Sequence, residues 1–209
     1  NPLLLGQEMR TRRNSMERLA YAITDFLLRR GVIKKEESEI YVYGYAVILE
    51  QFVQVLGFIL LAAVSGTIME TALFLLFFHL FRSCFGGYHA DTSLLCLLIS
   101  YGGWMLVMVL TKNVSAWTEI PVILWAVFVL DVCVFAMLGP VAHANKPLTA
   151  QQKRRNKKKG FLLLGICSLF AFLGRSCVFA GTVYIGTVTF VAVLAILGKR
   201  KVGTRYEED

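Results

Sequence analysis

Acidic residues are scarce in this chain: 14 Asp and Glu face 22 Lys and Arg in 209 residues, a formal charge of +8. Histidine occurs three times and proline four times. No stretch between the apolar runs is long enough for a separate soluble domain, and no internal repeat is evident. The five cysteines, Cys84, Cys96, Cys133, Cys167 and Cys177, lie in or beside apolar runs. They show neither the paired spacing of a zinc knuckle nor the framework of an extracellular disulfide scaffold. His79 falls inside an apolar run, where an interhelix hydrogen bond is its expected role, and His143 falls in a basic segment; with Cys84 they make no convincing metal set. No metal or other cofactor is expected, and every cysteine except Cys96 reads as a small buried hydrophobe.

Apolar residues dominate what remains. A hydrophobic share of 56% and a mean hydropathy of +0.61, combined with that charge, exclude an ordinary soluble domain and predict an all-α, polytopic membrane protein. Apolar runs at 40–65, 67–83, 92–111, 118–139, 160–174 and 177–197 each approach the ~20 residues that cross a bilayer, so about six transmembrane helices are expected. Ahead of them, Leu19, Ile23, Phe26 and Leu27 recur at helical spacing against Glu17, Arg18, Asp25, Arg29 and Arg30, the pattern of an amphipathic helix lying in the membrane interface. Residues 1–15 are expected to be a tag or a disordered N-terminus, 16–201 a single membrane domain and 202–209 a cytoplasmic tail.

Basic residues cluster before the first run (Arg10, Arg12, Arg13, Arg29, Arg30, Lys34, Lys35), in the 153–159 segment read as a loop, and at Lys199-Arg-Lys201. Lys112 and Arg175 are the basic residues of the remaining loops. By the positive-inside rule both termini and the Arg82–Asp91 loop face the cytoplasm. Juxtamembrane charge of this kind records topology and attraction to anionic lipid, so membrane lipid is expected as a partner and nucleic acid is not.

Between the second and third runs, Arg82, His89 and Cys96 follow one another at seven-residue steps. A thiol of ordinary acidity is only a few per cent thiolate at neutral pH, and a neighbouring imidazole is one means of activating it. Seven residues of unbroken helix rise about 10 Å, too far for contact between His89 and Cys96. The segment must therefore bend, and Gly86-Gly87 supplies the freedom to do so. Asp91 or Thr92 suits the N-cap of the helix that carries Cys96 about one turn inside it.

Glu50 in the first run and Asp131 in the fourth are costly to bury, so each is a candidate polar partner or substrate contact; one of them, or Asp91, could orient His89. The same acids motivate a rival reading as a small transporter or peptide-export component lined by Glu50 and Asp131. A noncatalytic scaffold is a third.

Arg82, Gly87, His89, Ala90 and Cys96, written R-x4-G-x-H-A-x5-C, together with the segment Pro140–Leu148 and the six-span layout, resemble the accessory gene regulator protein B (AgrB) family. The resemblance implies a membrane cysteine endopeptidase of Gram-positive bacteria. Such an enzyme trims the C-terminal tail of a short AgrD-like precursor and helps form a cyclic autoinducing peptide for quorum sensing. Cys96 is then the nucleophile and His89 the base. Arg82 is left open between binding an acidic substrate residue, pairing with a carboxylate and anchoring the helix end. Backbone amides near Gly86-Gly87 or Thr92 are candidate oxyanion donors. The resemblance also implies a homodimer, for which Gly102-Gly103 would permit close helix contact.

Overall fold

A computed structural model describes residues 15–88, 93–114, 122–141, 149–173 and 177–207, the last seven by backbone alone. These residues fold as α1 (Ser15–Arg29), a 3-10 turn (Lys35–Glu37), α2 (Ser38–Ser65), α3 (Ile68–Phe85), α4 (Ser93–Val114), α5 (Val122–Leu138), α6 (Ala150–Leu173) and α7 (Val178–Glu207). The protein is all-α. It divides into two compact units, residues 1–61 and 62–209.

The first unit holds α1 and most of α2. Polar and apolar residues segregate strongly on α1. Arg29 pairs with Asp25 at 2.8 Å, one turn apart, while Leu19 and Phe26 stay exposed and the guanidinium of Arg30 lies 5.2 Å from the Phe26 ring centre. Exposed apolar and charged groups side by side suit a membrane interface. Along α2, Ile48, Phe52, Leu56 and Ile59 are exposed, which hydrocarbon tolerates and water would not.

In the second unit α7 is central, packed against α3, α4, α5 and α6. Its Val183, Ile185, Val188, Val191 and Ala195 are fully buried. Helices in lipid gain nothing from the hydrophobic effect on meeting one another, so close fit and interhelical hydrogen bonds hold them. Both devices are present. The site of the missing Gly103 side chain is filled by the Phe190 ring, which brings α4 against α7 and commits Gly103 to packing within the chain. The Tyr184 hydroxyl donates to Leu164 O at 3.0 Å, tying α7 to α6, and Trp104 Nε1 donates to Thr71 Oγ1 at 2.9 Å, tying α4 to α3.

Among the described residues four helical segments, Lys35–Ser65, Ile68–Phe85, Leu94–Val114 and Val178–Arg200, are long and apolar enough to cross a membrane, and Val122–Leu138 is a shorter apolar helix. The apolar half of α6, from Gly160 on, is a sixth apolar helical segment. One expectation is corrected here: residues 153–159 form no loop but the first half of α6. Lys, Arg and Gln are good helix formers, and the charged half is carried by the same backbone ladder as the apolar half. Thr149 starts it with a reciprocal cap: its Oγ1 accepts from the Gln152 N–H at 3.2 Å, and its own N–H donates to Gln152 Oε1 at 3.0 Å.

Candidate active site

At the C-terminal end of α3 the chain turns on Gly86 and Gly87, with φ of +71° and +146°. Side chains rarely adopt such angles. Space excludes them as well, because a Cβ on Gly86 would collide with Val141 O. The Gly86 N–H donates to Arg82 O at 2.9 Å, closing the last turn of α3, and the Val141 N–H donates to Phe85 O at 2.9 Å. Phe85 is fully buried, stacked on Phe135 of α5 with ring centres 4.0 Å apart and met edge-on by Phe161 of α6 at 5.8 Å. Lys157 Nζ donates to Ala136 O at 2.8 Å beside this cluster. The end of α3, the end of α5 and the middle of α6 thus meet at one end of the bundle.

Tyr88 is held from both sides. Its N–H donates to Leu194 O of α7 at 2.7 Å, and its carbonyl accepts from Arg82 Nη2 at 3.0 Å. The same guanidinium interacts electrostatically with the Cys96 side chain, and its Cζ stands 5.2 Å from the Phe78 ring centre. Arginine can serve two acceptors at once because its planar fork carries five N–H donors. Arg82 therefore links the end of α3, the turn after it and the first turn of α4, where half-buried Cys96 follows three residues after the helix start at Ser93.

His89, Asp91 and Thr92, named from the sequence, lie outside the described residues, as does His143. Tyr88 is the residue before His89 in the chain. Glu50 sits half-buried in α2 of the first unit. Asp131 is buried and bonded to Thr189 Oγ1 of α7 at 2.6 Å. His79 does carry a hydrogen bond, but within its own helix: Nδ1 to Leu75 O, 2.9 Å. Of the cysteines read as small buried hydrophobes, only Cys84 is buried; Cys167 is half-buried, and Cys133 and Cys177 are exposed. For Cys133 and Cys167, which lie on apolar helices, a thiol facing hydrocarbon is at little disadvantage; Cys177 precedes α7. All five are free, and no group of three metal-binding side chains occurs among the described residues. Val141, Leu194 and Gly198 went unnoticed in the sequence; an interior glycine in the apolar α7, costing about 1 kcal/mol against alanine, was the one available signal.

Residues 20–197, most of the chain, match the family model described as Accessory gene regulator B. The chain belongs to that family. AgrB-like protein 2 of Clostridium perfringens (strain 13 / Type A) is 26% identical over 139 residues, 65% of each chain. An AgrB-like protein of Clostridium perfringens (strain SM101 / Type A) is 25% identical over 160 residues, 74% of each. The match to the first thus spans just under two thirds of that relative. No solved structure matches. Family membership and the apolar helices identify a multi-pass AgrB membrane protein of the accessory gene regulator system.

Proposed function

We propose that this AgrB protein is a cysteine endopeptidase, embedded in the cell membrane of a Gram-positive bacterium, that removes the C-terminal tail of a short AgrD-like precursor and promotes ring closure of the remainder. The observation that supports this reading is the bridge made by Arg82, which reaches Cys96 while holding the carbonyl of Tyr88, the residue before His89. A thiol that interacts with a cation, at the end of an apolar bundle, is poorly explained as packing.

In the reaction, His89 takes the Cys96 proton and the sulfur attacks the precursor carbonyl. Collapse of the tetrahedral adduct breaks the C–N bond, His89 returns the proton to the departing amine, and the tail leaves as a free peptide. The N-terminal part remains as a thioester on Cys96. An internal thiol or hydroxyl of the peptide then displaces Cys96, closing a thiolactone or lactone and regenerating the enzyme. Arg82 stabilises charge and fixes geometry and exchanges no proton.

The test is mass spectrometry of the protein in lipid vesicles after incubation with a synthetic AgrD-like precursor. A Cys96-linked acyl adduct and a released tail are expected from the native chain, and neither from Cys96→Ala or His89→Ala. Processing that survives either substitution would remove the peptidase reading.

A further inference from the structure

Tyr88 does not make its turn unaided. The turn is seated on α7, four helices further along the chain, at a position where α7 carries glycine. A Cβ on Gly198 would stand 2.8 Å from the Gly87 carbonyl carbon, 2.8 Å from Tyr88 N and 3.0 Å from Gly87 O. One helical turn earlier, Leu194 O accepts the Tyr88 N–H at 2.7 Å, although it already lies in the ladder of α7. The fit is mutual, because a Cβ on Gly87 would meet Leu194 Cβ at 3.3 Å. Leu194 and Gly198 are both buried. Two backbones therefore lie in direct contact, which requires a missing side chain on each.

We infer that Gly198 is a positioning residue for the peptidase: with Leu194 it forms the seat that fixes the Gly87–Tyr88 peptide, and thereby holds Arg82 at Cys96. This rests on the peptidase reading. The chain of contacts is short. α7 holds Tyr88 N, Arg82 holds Tyr88 O, and Arg82 reaches Cys96. Non-bonded carbon atoms rest about 3.5 Å apart or more, so one methyl group at position 198 must displace the turn by about 0.7 Å. Such a misplacement costs on the order of 10- to 100-fold in rate when it reaches reacting groups. The seat touches the backbone of the turn, so its loss should act on turnover rather than on precursor affinity.

The experiment uses the full chain in lipid nanodiscs and three readouts: kcat and KM with a synthetic AgrD-like precursor, the rate at which iodoacetamide alkylates Cys96, and hydrogen exchange at the Tyr88 amide. Gly198→Ala should lower kcat by about 10- to 100-fold with KM within about twofold. The alkylation rate should depart from the native one by more than about threefold, and Tyr88 exchange should accelerate while amides of α7 before Leu194 keep their protection. Gly165→Ala in α6, where an added Cβ meets nothing within 4 Å, should leave all three unchanged. A folded Gly198→Ala protein with native kcat overturns the inference. So does a native protein whose Tyr88 amide exchanges as freely as an open loop, and this measurement decides the matter even where the variant fails to fold. Should the native chain leave the precursor intact, or Cys96→Ala still process it, the peptidase reading falls, while Tyr88 exchange and Cys96 alkylation continue to judge the seat.

Discussion

Arg82 shows how one side chain can join segments that the sequence presents separately. Its guanidinium serves Tyr88 O and the Cys96 side chain, a task that the point charge of a lysine cannot perform with fixed geometry. Arg82→Lys is expected to fold and to lower tail release by about tenfold or more, the scale of one lost charge-assisted hydrogen bond; native release rates would refute the dual role. The sequence marked Arg82, Gly86, Gly87 and Cys96, because a bend between a base and a thiol has a residue signature. It left the role of Arg82 open among three partners, since no spacing rule says which acceptor a five-donor fork will meet. Gly198 was illegible for a related reason: its meaning lies in a backbone more than a hundred residues away.

Among the elements, α5 and α7 are joined by a polar pair inside apolar surroundings. Asp131 is costly in hydrocarbon unless bonded, and Thr189 lies 2.6 Å away. Asp131→Asn keeps a group able to bond Thr189 and should melt within about 1 °C of the native protein in detergent. Asp131→Ala leaves the Thr189 hydroxyl with only Ile185 O of its own helix, 3.0 Å away, and opens a gap, and should cost about 1–2 kcal/mol, read as a lower midpoint in thermal unfolding. Equal midpoints for both variants would mean that the pair contributes nothing. Asp131 was singled out in the sequence by its cost alone; its partner could not be, because a threonine in an apolar run ordinarily bonds its own helix, as Thr182 and Thr187 do here and as Thr189 itself does besides meeting Asp131. The basic half of α6 shows the complementary failure. Charge density signalled a loop, whereas propensity and the cap at Thr149 favoured a helix, and the helix formed.

For the molecule as a whole, the ends of α3 and α5, the middle of α6 and the second half of α7 converge, and Lys157 reaches Ala136 O at that same end. Lys112 donates to Ser65 O at 3.3 Å at the opposite end of α4. From the charge asymmetry we propose that the former end faces the cytoplasm. In a background stripped of exposed native cysteines, Gln151→Cys and Arg200→Cys should therefore react with a membrane-impermeant maleimide only after the membrane is opened, and Asn113→Cys in intact cells; the reverse pattern would invert the topology. The count of apolar segments was legible, because bilayer thickness fixes their length. Their grouping around α7 was not, since packing in lipid is decided by which small residue faces which large one, as Gly103 does Phe190.

The placement of the seat on α7 also bears on the order of synthesis. Arg82, His89 and Cys96 leave the ribosome well before Leu194 and Gly198, so a nascent chain bears every reactive group of the proposed protease and lacks the surface that aligns them. Proteolytic competence would arrive with insertion of α7, leaving the unfinished protein harmless to the peptides around it.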